Sequence, residues 1–192
     1  MEQLKDWLIY YDLEKYLFDV VHERLNNGQF SPEDFFAIVL WKSNRAKGLI
    51  AKGLTESKFT RLMTQIASCA LSDEGDKERL KLLDDIEGIG LPIASAILTV
   101  WYPDRFTVLD YRVWEILRLG YEADLEDEWP KWRGKKIPEG VPQTTEDYFK
   151  YLKVCKKVRE REGMLTLRDF DRATWAKSWH KDLRKLVSES LI

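Results

Sequence analysis

Two features of this 192-residue chain have residue types and spacing suited to chemistry. One is the turn Gly88-Ile89-Gly90, with acids before it and small residues after it; the other is Asp110, which opens Asp110-Tyr111-Arg112-Val113. Glycine adopts positive-φ conformations that other residues resist, and it clears side chains from the path of an approaching partner. Where such a turn leads into a helix, free amide N–H groups and the positive end of the helix dipole point outward. That makes a phosphate cradle which needs no basic side chain. Ile89 is expected to pack inward between the flanking helices. A corner with only a packing role uses the same three residues, so the turn alone leaves both readings open. Asp110 stands at an expected helix start, where it can cap the helix by accepting the N–H of Arg112 or Val113. A carboxylate held in that way can also stabilise positive charge developing on a substrate.

Other chemistries have less support. Cys69, Cys155, His22 and His180 are isolated from one another, which gives neither a disulfide framework nor a zinc site, and all four are expected to be packing residues. No metal is expected. Net charge is −2, but residues 1–130 carry 15 Lys and Arg against 24 Asp and Glu, whereas residues 131–185 carry 16 against 8. Segregation of this kind can build a basic face on an acidic protein, or can be an ordinary solvated helical surface. No run reaches the ~18 apolar residues of a membrane span. The start MEQLKDWLIYYDLEKYLF is acidic and amphipathic, unlike a secretory signal, so the expected location is cytoplasmic with no membrane partner.

The elements that must position these residues are helical throughout, and the expected class is all-α. One compact domain over 1–192, with room for two lobes, is the expected organisation. Helices are expected over 4–26, ending at Asn26-Asn27-Gly28, and from Ser31-Pro32 through Trp41. Further helices are expected from Thr55 to Ala70, over 77–85, over Leu91–Tyr102 with one apolar face, and over Tyr111–Leu119. Ser72-Asp73-Glu74-Gly75 reads as punctuation and Phe106-Thr107-Val108-Leu109 as extended chain. Residues 121–143 read as a long loop, and basic helices fill 144–190, starting near Thr145 and Thr166.

The stretch IEGIGLPIASAILTVWYPDRFTVLDYRVWEIL, Ile86 to Leu117, resembles the helix-hairpin-helix DNA glycosylase superfamily. There a hairpin is followed by a Gly/Pro-containing loop and an essential Asp at the next helix start. The resemblance implies a helix-hairpin-helix core over 77–119, with Gly88, Ile89, Gly90 and Pro92 at the DNA and Asp110 as the catalytic carboxylate. It also implies that Asn44, with Lys42 and Arg45 beside it, corresponds to the loop that pushes a side chain into the base stack; an ordinary helix C-terminus with favourable cations is the other reading of these residues. The implied partner is double-stranded DNA, intact or damaged, met by a monomer. The implied reaction is base excision, in which an extruded nucleotide loses its base through an oxocarbenium-like sugar. Lyase-competent members carry a Lys where this chain has Pro92, so the implied activity is monofunctional. Two cysteines cannot hold the four-cysteine iron–sulfur cluster of many members. No cofactor is expected beyond a monovalent cation held by the hairpin carbonyls. A non-catalytic DNA-binding module built on the same frame is the alternative. A third reading is a helical interaction protein in which the turn is only structural. Trp41, Trp101, Tyr102, Tyr111, Trp129 and Trp132 are the candidate walls of a base pocket.

Overall fold

Side-chain oxygens of Ser31, Thr55, Ser72, Asp110 and Thr144 each accept a first-turn amide, so most helices begin where the sequence supplies a cap. The computed structural model describes residues 8–43, 45–130 and 137–190. It is all-helical, 74% helix, with no strand among the described residues. The chain divides into two units, Met1–Pro103 and Asp104–Ile192. The dividing point falls inside the expected 77–119 core, so the glycine turn belongs to the first unit and Asp110 to the second.

The first unit opens with α1 (Leu8–Tyr11), α2 (Leu13–Lys15), a π-helical segment Tyr16–Val21, and α3 (His22–Asn26), closed by Gly28 at φ +69°. Next comes α4 (Pro32–Lys42). Its cap, Ser31, exchanges hydrogen bonds with Asp34, and the buried Asp34 carboxylate also accepts from Tyr16 Oη and Arg24 Nη1, both at 2.8 Å. After α5 (Lys47–Gly53) and α6 (Glu56–Ser68) come α7 (Asp73–Asp84) and α8 (Leu91–Trp101). The turn joining α7 to α8 holds the two glycines. Ser72 starts α7 rather than ending a segment: its Oγ accepts the Gly75 amide at 3.2 Å. Gly75 lies inside α7, where a Cβ would fall 1.9 Å from the Ala70 carbonyl oxygen. From Ile93 to Trp101 α8 is buried on every side, against α3, α4, α7 and the π-helical segment, not on one face as its sequence pattern predicts.

In the second unit, residues 106–109 are buried extended chain leading into α9 (Tyr111–Gly120). The expected loop over 121–143 is corrected by α10 (Glu122–Glu128). Acids of this helix pair with cations of α11 (Thr145–Arg161): Glu128 with Lys153, Asp127 with Lys157, and Asp124 with Lys157 and Arg161. Thr166 then exchanges hydrogen bonds with Asp169 to start α12 (Leu167–Ser190).

Candidate nucleic-acid interface

The α7–α8 turn is closed by two backbone hydrogen bonds, Ile86 N to Leu83 O at 3.1 Å and Ile89 N to Ile86 O at 2.9 Å. Its two glycines do different jobs. Gly88 sits at φ +88°, and a Cβ there would lie 3.0 Å from Ile50 Cγ1, 3.1 Å from Leu49 Cγ and 3.3 Å from the Ile50 amide. It therefore lets the turn bend and lets α5 approach its backbone. Ile89, 3% exposed, packs inward as its neighbours predict. Gly90 is exposed at φ −97°, an ordinary extended conformation, and it caps α8 without any side-chain acceptor. Its carbonyl accepts the amides of Ile93 and Ala94 at 2.9 and 3.0 Å, and Pro92 has no amide to offer. The amides of Glu87, Gly88, Gly90 and Leu91 donate to no described residue. Of the turn's carbonyls, Ile86 and Gly90 are occupied, while those of Gly88 and Ile89 accept from no described residue.

Basic and acidic side chains flank the turn. Arg45 and Lys52 are exposed and have no acid partner among the described residues, and Lys47 is exposed beside them. Lys42 lies in the last turn of α4, and Asn44 lies outside the described residues. Sequence pattern misses α5, whose packing on Gly88 joins the 42–52 segment to the hairpin; glycines at 48 and 53 disguise it as loop. Asp84, Asp85 and Glu87 stand on the α7 side. Burial and then the neighbouring Asp85 charge push the Asp84 carboxyl above its ordinary value.

Asp110 is half-buried at the N-terminus of α9, and its Oδ1 accepts the Arg112 amide at 2.9 Å. Its approach segment is clamped from α11. Tyr148 Oη donates to the Thr107 carbonyl at 2.8 Å and accepts the Thr107 amide at 3.4 Å, while Tyr151 Oη donates to the Val108 carbonyl at 2.9 Å. These tyrosines position Asp110, and nothing in their local sequence marks them for it. On the other side, Arg112 Nη1 donates to Asp182 Oδ2 at 2.5 Å and to Ser178 Oγ at 3.3 Å, fixing the start of α9 against α12. Its guanidinium lies over the rings of Tyr111 and Trp175, at 5.1 and 5.5 Å. An open cleft of about 660 Å³ follows, lined by Tyr111, Trp114, Glu115, Arg118, Lys181 and Asp182 among others.

Among the aromatics considered for a base pocket, Tyr111 is 60% exposed, whereas Trp101 and Trp129 are buried. Trp41 packs edge-on against Phe18, Tyr102 stacks on Trp101, and Trp132 lies outside the described residues. Cys155 is buried, and His22 bridges the Val100 carbonyl and Asn26, so both serve packing. No cluster of three metal-ligating side chains occurs among the described residues, and no described helix is long and apolar enough to cross a membrane. Compared with protein families, with curated proteins and with solved structures, the chain matches none.

Proposed function

We propose that the chain is a DNA-binding helix-hairpin-helix protein that works as a monofunctional, glycosylase-like base-excision enzyme. One observation carries the proposal: the α7–α8 turn exposes a side-chain-free tip at Gly90, beside the Gly88, Gly90 and Leu91 amides that donate to no described residue. Arg45, Lys47 and Lys52 are exposed cations on the segment whose Leu49 and Ile50 pack against Gly88. Asp110 supplies the carboxylate. Its cap bond to Arg112 fixes its direction, and a fixed carboxylate stabilises an electron-poor sugar without reorganising in the transition state.

Titration of duplex DNA at several salt concentrations tests binding, because each neutralised phosphate releases counterions and steepens the salt dependence. Excision from a panel of damaged duplexes tests the chemistry. Asp110→Asn keeps the cap, since Asn caps about as well as Asp, so stability and DNA affinity should hold. Excision should fall by about 10²-fold or more, the loss of an electrostatic contact of about 2.7–4 kcal/mol. Equal excision by the variant makes Asp110 a cap alone. One observation favours a non-catalytic module as the second reading: Asp110 already has a complete structural role in the cap. Duplex binding with no excision from any lesion selects that module.

A further inference from the structure

We propose that α12 docks on an anionic lipid surface through an apolar face that packing within the protein leaves about half exposed. This helix carries two apolar sides. Its inward side, Leu167, Phe170, Asp171, Thr174 and Ser178, is buried, and it ends at Ser178; every residue from Lys181 to Glu189 is exposed. The second side is Trp175, Trp179, Leu183, Leu186 and Val187, between 39% and 61% exposed. At ~100° per residue these five fall within a sector of roughly 120°, centred roughly 140° from the inward side. The sector runs about 18 Å along the helix. A helix that only closed its own unit would need the first side alone.

Charge decides what covers the second. Residues 172–189 hold five cations (Arg172, Lys177, Lys181, Arg184, Lys185) and two acids; Asp182 is bound to Arg112, Glu189 lies 3.8 Å from Lys185, and Lys181 pairs with Glu115. Lys177 and Arg184 have no acid partner among the described residues. Duplex DNA would match the charge but leave Leu183, Leu186 and Val187 in water. An anionic bilayer meets both demands: aliphatic side chains enter the acyl boundary, tryptophans sit at headgroup depth, and lysine and arginine stems reach lipid phosphates. Lying on a surface needs far less apolar length than crossing it, so the lack of a spanning helix among the described residues does not conflict with this.

The test uses the full chain and vesicles of phosphatidylcholine, with and without roughly one third phosphatidylglycerol. Sedimentation should show binding that requires the anionic lipid and weakens with salt. Tryptophan emission should shift to the blue on binding and be quenched by bromine-labelled acyl chains. Leu183→Asp with Leu186→Asp places two charges on the exposed face, so helix content should hold while partitioning falls by at least about tenfold. Three outcomes overturn the proposal: no sedimentation with anionic vesicles, binding unchanged in the double variant, or a concentration-dependent dimer that the double variant abolishes. The last would assign the face to a second copy. The wild-type quenching measurement keeps the proposal falsifiable if the variant misfolds.

Discussion

Gly88→Ala and Gly90→Ala look like the same change in a Gly-Ile-Gly turn, yet they should differ in kind. At φ +88° an L-residue pays the left-handed penalty of about 1–2 kcal/mol. The new methyl would also sit 3.0 Å from Ile50 Cγ1 and 3.3 Å from the Ile50 amide, closer than ordinary contact. Because a backbone atom is one of the neighbours, α5 must shift, and overpacking of this sort adds about 1 kcal/mol or more. The sum for Gly88→Ala is about 2–3 kcal/mol. At Gly90 the backbone is already extended, and a Cβ meets only Pro92 Cδ, at 3.7 Å. Glycine is a fair N-cap and alanine a poor one, so the exchange costs about 0.5–1 kcal/mol. Urea unfolding followed by far-ultraviolet circular dichroism separates these values. Equal stability of the two variants would refute the assigned turn geometry.

The same pair separates folding from binding. Gly90→Val keeps a backbone conformation that β-branched residues favour, so the fold should survive. Its side chain covers the tip where phosphate is proposed to approach. Losing one hydrogen bond to a charged phosphate, at about 1.5 kcal/mol, weakens duplex affinity about tenfold, equally for all sequences. Unchanged affinity in a folded Gly90→Val protein would remove the turn from the interface.

Three further outcomes are expected. Asp76→Ala should destabilise the first unit by about 3–5 kcal/mol in urea unfolding. It strands Arg79, 1% exposed, which pairs with Asp76 at 2.9 Å and donates to the Ala70 and Cys69 carbonyls. Tyr151→Phe should cost about 1–3 kcal/mol by leaving the buried Val108 carbonyl without its donor, and should reduce any excision more than DNA affinity because the segment ahead of Asp110 loosens. The Lys181 hydrogen bond, aided by Ser178, holds the Glu115 carboxyl below its usual value near 4.5. Its stabilising contribution is therefore present above that pH and lost as pH falls through the lowered value. The stability difference between the wild type and Glu115→Gln should accordingly shrink below about pH 4.5.

Local chemistry made much of the fold legible in the sequence. Ser31, Thr55 and Thr144 cap helices where their neighbours predict, because a cap is satisfied by amides two or three residues away. Ser72 reads as punctuation yet starts α7, because a capping serine followed by acids and glycine also resembles a turn. Charge misled differently. The basic excess after residue 130 suggests a face for a polyanion, but Lys153, Lys157 and Arg161 of α11 are paired with acids of α10. Segregation along the chain became complementarity in space, because α10 and α11 pack together. Unpaired cations remain at Arg45 and Lys52 in the first unit, and at Lys156, Lys177 and Arg184 in the second, among the described residues.

Asp110 shows where local legibility stops. Its cap on Arg112 spans two residues and follows from an aspartate at a helix start. Its placement depends on Tyr148 and Tyr151, which hold residues 107 and 108 from 41 and 43 residues away. A tyrosine pair at helical spacing reads as core, and these two are core; their hydroxyls satisfy the backbone of a buried extended segment that has no strand to pair with. Burial brought the tyrosines to that segment, and the segment's unmet carbonyls chose their hydrogen bonds. A carboxylate held from both directions can have a role beyond capping, so Tyr151→Phe probes that role without touching Asp110 itself.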